Sequence, residues 1–195
     1  RLRKYIKSTY NQEQYERIMK DRWNIFEDKP IESGPELMSS LRKLVSSDED
    51  RQFNAKFLMD IHDRLIVFYN FNYERDILIN LAKELDRPYA EWNGHAHDEV
   101  PNTDRWLYFV QYTAGAEGWN CVSTNVILFY SLNYSYKIIE QAEGRIDRLN
   151  TKFKYLEYYY LTSDSQVDRD IFKAIKSKER FNESAWVKRS GLSFP

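Results

Sequence analysis

Short apolar runs alternate along the chain with longer stretches in which apolar residues recur every three or four positions. The first pattern predicts buried strands and the second predicts amphipathic helices. The strand runs are Arg64–Tyr69 (RLIVFY), Arg87–Trp92, Trp106–Gln111 (WLYFVQ), Asn125–Tyr130 (NVILFY) and Lys154–Thr162 (KYLEYYYLT), rich in β-branched and aromatic residues. Helical spacing marks Arg1–Asp28, where Tyr15, Ile18, Met19, Arg22, Trp23 and Phe26 form a stripe. It recurs after Pro35 (Leu37, Leu41, Leu44, Val45) and in a stretch ending near Asp63 (Phe53, Phe57, Leu58, Ile61). Further helices are expected over Glu74–Leu85, Ser135–Leu149 and Val167–Lys178. Lys29-Pro30 and Ser33-Gly34-Pro35 break the early pattern. The order of elements is that of an α/β fold, and the near-continuous strands predict a mostly parallel sheet with helices on both faces. The expected division is an N-terminal helical connector over 1–35, an α/β domain over 36–180 and a tail over 181–195. The first helix suits a connector and a helix packed on its own domain equally.

Composition narrows the partners. The chain has 195 residues, enough for one sizeable domain, and a net charge of −1 from 29 basic and 30 acidic residues. That balance gives no whole-protein attraction to nucleic acid or anionic membrane, so any such contact is local or made with a partner domain. A single cysteine, Cys121, excludes an internal disulfide and reads as a small buried residue rather than a reactive thiol. No apolar run approaches the roughly 20 residues needed to cross a bilayer. No apolar segment follows the basic N-terminus as in a signal peptide, so the expectation is a cytoplasmic protein without membrane contact. The start at Arg1, without methionine, suits a fragment or a processed piece.

Four features carry candidate chemistry. His95 and His97, beside Asp98 and Glu99, have metal-ligand types, but no further His or Cys completes a set, so a solvated loop is the favoured reading. The six glycines form neither a GxxxxGKS/T phosphate loop nor a GxGxxG fingerprint, so the chain holds no recognisable triphosphate cradle. Thr113–Asn120 (TAGAEGWN) follows a predicted strand; its backbone N–H groups and the Thr113 hydroxyl suit phosphate, and Glu117 and Asn120 suit a ribose or a catalytic neighbour. A plain tight connection explains that loop as well. On the predicted helix Ser135–Leu149, Gln141, Arg145 and Arg148 would share a face at 100° per residue, a donor set suited to phosphate. A solvated basic face paired with Glu140 and Asp147 explains the same spacing slightly better. Gly144 is costly inside a helix, by roughly 1 kcal/mol against alanine, and suits a site of close packing.

Taken together, these segments resemble superfamily 2 helicases and translocases. Thr113–Asn120 resembles their motif V, Gln141–Arg148 (QAEGRIDR) matches motif VI, QxxGRxxR, at each fixed position, and Leu65–Tyr69 with its following turn resembles motif IV. The order and spacing of the three fit over roughly Pro35–Lys178, and the wording looks like the Swi/Snf-like or DEAD/DEAH-type helicases that bacteriophages encode. The resemblance implies the C-terminal RecA-like domain of a two-domain motor. It implies that ATP and Mg²⁺ are held mainly by an N-terminal RecA-like domain bearing the Walker motifs, and that the isolated chain neither binds them nor hydrolyses ATP. Arg145 and Arg148 would reach the phosphates, Arg148 as the arginine finger, with Gln141 positioning the nucleotide or water. Glu117, Gly118, Asn120 and Gly144 would lie on the nucleotide side, and Thr113, Gly115, Tyr69, Asn70 and Phe71 on the nucleic-acid side. Asn120 replaces the usual aspartate, which puts its ribose contact in question. Gln141 in place of the histidine of DEAD-box RNA enzymes favours DNA over RNA. The rival expectation is a non-catalytic RecA-like module that binds nucleic acid or a partner helicase; the missing glycine fingerprints weaken a metabolic nucleotide enzyme.

Overall fold

A computed structural model describes residues 1–114, 119–178 and 181–189. Its centre is a six-stranded, wholly parallel sheet. The strands are β1 (Leu2–Ser8), β4 (Arg64–Tyr69), β5 (Tyr89–Trp92), β6 (Trp106–Gln111), β7 (Val126–Phe129) and β8 (Glu157–Ser163). They run in the order β1-β8-β7-β4-β6-β5. A small antiparallel pair, β2 (Trp23–Asn24) and β3 (Lys29–Pro30), stands apart. β4 lies at the centre, with Ile66 opposite Tyr108 of β6 on one side and Ile127 of β7 on the other. Both faces of β4 are buried from Leu65 to Tyr69, which is why its sequence is continuously apolar instead of alternating.

The two faces hold separate cores. One is covered by α1 (Gln12–Asp21), α2 (Gly34–Ser46), α5 (Tyr136–Glu143), α6 (Gln166–Lys176) and α7 (Glu183–Arg189), which pack on Ile66, Phe68, Tyr108, Ile127, Phe129, Tyr158 and Tyr160. The other is covered by α3 (Glu49–Ile61) and α4 (Asn72–Glu84), which pack on Leu65, Val67, Tyr69, Phe109, Leu128 and Leu161. Side-chain alternation along each strand divides the residues between the two cores.

Several expectations change. The helix expected over Arg1–Asp28 is confined to Gln12–Asp21; residues 2–8 form an edge strand paired with β8 from Leu2↔Glu157 to Ser8↔Ser163. Their alternation decides this: Ile6 packs on one core and Tyr5 stacks on Tyr160 over the other. The first eight residues therefore belong to the sheet instead of a separate connector. The stripe also breaks at Arg22, whose left-handed φ of 51° caps α1, so Trp23 and Phe26 enter the small hairpin. On α3 the inward face is Ala55, Leu58 and Met59, whereas Phe53, Phe57 and Ile61 are exposed. The expected tail carries α7, whose Trp186 is buried and donates from Nε1 to Asp170 Oδ2 at 2.6 Å.

Candidate functional site

The motif IV turn leaves β4 at its C-terminal end. Tyr69 is fully buried in the α3/α4 core, so its side chain does not reach the surface expected for a nucleic-acid contact. Strand alternation placed it: the residues flanking it in β4 that face the same core are Val67 and Leu65. Asn70 cross-braces three strands. Its Nδ2 donates to Ser131 Oγ at 2.8 Å and to the Leu132 carbonyl at 3.1 Å, its Oδ1 accepts from Asn133 Nδ2 at 3.0 Å, and its carbonyl accepts from Gln111 Nε2 at 3.0 Å. Phe71 is half-buried, stacked on Tyr73 with Arg42 over its ring. Beneath the turn sits Glu74, fully buried, whose Oε1 accepts from the Asn70 and Phe71 amides and from Ser131 Oγ at 2.8, 3.1 and 2.9 Å. These bonds satisfy the two amides just before α4, as the acidic half of a capping box does, and tie its start to the end of β7.

The network continues into motif VI. Asn133 Oδ1 accepts from the Ser135 amide at 2.9 Å, and Ser135 Oγ caps α5. The helix then ends at Glu143, short of the expected Leu149. Gly144 terminates it, Ile146 turns into the core at 0 % exposure, and Leu149 lies fully in solvent. Gln141 therefore does not share a helix face with Arg145 and Arg148; it is an exposed residue of α5, and the arginines sit on the turn that follows. The φ of Gly144 is −66°, and a Cβ there would touch only its own helix carbonyls, at 3.4 and 3.5 Å. No tight contact from the described residues accounts for the glycine.

The two arginines have different surroundings. Arg145 is held against motif V: its Nη1 donates to the Trp119 carbonyl at 2.9 Å, its guanidinium lies 5.3 Å from the Trp119 ring centroid, and its carbonyl accepts from the Cys121 amide at 2.9 Å. Burial, with the charge of Arg148 added, pushes the Arg145 guanidinium below its ordinary value. Arg148 is exposed and makes no side-chain hydrogen bond or ion pair among the described residues. Trp119 is buried against Phe68 and Tyr108. Thr113 and Asn120 are exposed, at the two ends of the motif V loop. Gly115, Glu117 and Gly118 lie outside the described residues. Cys121 is a buried free thiol.

Sequence reasoning missed three of these positions. Trp119 entered only as part of the Thr113–Asn120 segment and Glu74 only as the start of a predicted helix, neither with a role of its own. Trp92 was read only as the end of a strand, yet its Nε1 donates to the Ala114 carbonyl at 2.7 Å and holds the entry to motif V. His97 stacks on that indole with centroids 4.5 Å apart. Among the described residues no group of three His, Cys, Asp or Glu side chains is placed to hold a metal, and no helix is long and apolar enough to cross a membrane.

No protein-family model matches the chain, and no curated protein matches it. Solved structures do. The C-terminal part of the Fun30 ATPase domain superposes with a TM-score of 0.58 at 15% identity, covering 80% of this chain and 62% of that one. The SWI2/SNF2 ATPase core of Sulfolobus solfataricus, solved in complex with dsDNA, superposes with a TM-score of 0.68 at 15% identity, covering 96% of this chain and 47% of that one. The chain thus spans less than two thirds of either neighbour. Its fold is that of the RecA-like lobe at the C-terminal end of SWI2/SNF2-type ATPases.

Proposed function

We propose that the chain is the C-terminal RecA-like half of an ATP-dependent nucleic-acid translocase or helicase, and that its motif VI turn completes an ATP site built mainly by a Walker-bearing N-terminal lobe. The observation that carries this reading is the split between Arg145, locked onto Trp119, and Arg148, exposed and without a side-chain partner among the described residues. A guanidinium held out on a braced turn suits an arginine finger, which stabilises charge developing on a transferring phosphoryl group.

The residues present fit a polyphosphate. Arg148 is exposed and has no side-chain partner among the described residues, Gly144 adds no side chain to the same turn, and Gln141 and Asn120 are exposed polar groups of motifs VI and V. The sequence contains no GxxxxGKS/T, so Mg²⁺ and most of the triphosphate are assigned to the partner lobe. Bound ATP supplies the phosphoanhydride bond whose cleavage drives such a motor. This chain's part is to bring Arg148 to the cleft between lobes, to hold it through the Arg145–Trp119 contact, and to join that contact to motif V. Thr113 and the half-buried Phe71 are its candidates for touching nucleic acid, with Asn70 bracing the turn just before Phe71.

DNA is the favoured polymer, supported by Gln141 at the head of motif VI and by a structural neighbour solved on dsDNA. ATP hydrolysis by a full-length protein containing this chain, with ssDNA, dsDNA and RNA as competing stimulators, tests the reading. DNA should stimulate turnover more than RNA. Equal or greater stimulation by RNA would remove the preference for DNA, and no response to any nucleic acid would contradict the motor itself.

A further inference from the structure

The residues between the fixed positions of QAEGRIDR are also engaged. Glu143 and Asp147 are both held by arginines in and just before the first strand, Arg3 and Arg1. Arg3 grips Glu143 with two bonds, Nε to Oε2 at 2.9 Å and Nη2 to Oε1 at 2.9 Å. Arg1 spans both acids, donating from Nη1 to Glu143 Oε1 at 3.0 Å and from Nε to Asp147 Oδ2 at 2.6 Å. Tyr160 Oη also donates to Glu143 Oε2, and Tyr158 Oη donates to the Glu143 carbonyl at 2.9 Å. Glu143 is 2% exposed, so its charge is committed to these partners.

Strand geometry explains the arrangement. In the parallel register Arg3 lies opposite Tyr158 and Tyr5 opposite Tyr160. Alternation then sends Arg1, Arg3 and Tyr5 to the face that carries α5, while Lys4 turns to the other face, over Tyr159. The spacing Arg-x-Arg-x-Tyr at the start of the chain is thus a matched set for the end of α5.

Two effects on motif VI follow. Glu143 is the last residue of α5, so holding it fixes where the helix stops and where the turn carrying Arg145 and Arg148 begins. Asp147 is the carboxylate next to Arg148 in sequence, and Arg1 engages it at 2.6 Å. That neighbouring carboxylate is therefore committed to Arg1.

We propose that Arg1 and Arg3 are positioning residues for Arg148: they pin the motif VI turn at Glu143 and Asp147 and so present the Arg148 guanidinium unpaired to the nucleotide cleft. The proposal rests on the motor reading given above. Arg3 carries the larger share, because its forked contact is made to a buried carboxylate, whereas the exposed Arg1–Asp147 pair is open to solvent and salt.

Two readouts test it. In the 195-residue chain, amide hydrogen exchange at residues 144–148 is compared for wild type, Arg3→Met, Arg3→Lys, Arg1→Gln and Lys4→Gln. Exchange there should quicken about tenfold or more in Arg3→Met and less in Arg1→Gln, with β4 and β6 still protected, because opening is local. Lys4→Gln, on the opposite face, should match wild type. If Arg3→Met frees all of β1, protection of residues 2–8 falls too, and Arg3→Lys and Arg1→Gln carry the comparison. In the full-length protein, Arg3→Met should lower kcat by about 10- to 100-fold with KM for ATP within about twofold, since misplacement of a transition-state group costs rate more than binding. Arg3→Lys should recover part of the loss. Unchanged exchange at 144–148, or unchanged kcat in an ATPase-active protein, would overturn the proposal. A wild-type full-length protein without ATPase activity would instead refute the motor reading, and the exchange result would still judge the clamp.

Discussion

Glu143 shows how one side chain can be both anchor and pH sensor for its surroundings. Burial alone would raise its carboxyl, but the hydrogen bonds from Arg3 and Tyr160 and the charges of both arginines outweigh burial and hold it below the ordinary value of 4.5. A carboxyl depressed on folding contributes stability that is fully present above its unfolded value and is lost as pH falls through the folded one. Thermal melts of wild type and Glu143→Gln should therefore differ most at pH 5 and above, by about the worth of a charged hydrogen-bond network, and the gap should narrow progressively as pH falls below about 4.5 towards the lower folded value. A gap that stays constant to pH 3.5 would contradict the assignment. The QxxGRxxR pattern was legible in the sequence because its letters are read one residue at a time. The partners of Glu143 were not, since Arg3 lies 140 positions away and becomes a neighbour only through the β1–β8 pairing.

Among elements, the strands that are buried on both faces matched their sequence runs closely; β4 and β6 occupy Arg64–Tyr69 and Trp106–Gln111, as the apolar runs predict. The edge strand β1 was misread, because an edge needs no continuous apolar run and its LRKYIKS resembles a polar helix in composition. The end of α5 was misread for a related reason: Ile146 is drawn into the core and Glu143 to β1, and neither pull shows in a helical wheel. The joint between the two helical layers was also invisible. Arg51 of α3, 1% exposed, donates to Asp168 of α6 at 2.6 Å, and the same carboxylate accepts from Ser163 Oγ at 2.7 Å. Removing one member of such a buried pair strands the other charge, whereas apolar replacement of both is far milder. Arg51→Met should cost about 3–5 kcal/mol in urea unfolding, and Arg51→Met with Asp168→Leu should cost clearly less than the single change. Equal losses in both would mean that α3 and α6 are held together by packing alone.

On the scale of the whole molecule, the C-terminal ends of β4, β6 and β7 converge on one polar network through Asn70, Gln111 and Ser131, and that network leads by Asn133 and Ser135 into α5. The turn after β4, the end of β6 and the start of α5 are therefore braced together at one end of the sheet. With a net charge of −1, the chain has no global field to gather nucleic acid, so binding by the isolated lobe should rest on local contacts and weaken with salt. Under the proposed function the same would hold for ATP, to which the lobe would bring a finger while its partner brings the cradle. The central claim is that Arg148 is that finger. Its most direct test is steady-state ATP hydrolysis by a full-length protein containing this chain, at saturating ATP and DNA, comparing wild type with Arg148→Ala. The account predicts a fall in kcat of about 10³-fold or more with an unchanged melting temperature, as expected for a group that acts only on the transition state. Turnover within about twofold of wild type would contradict it.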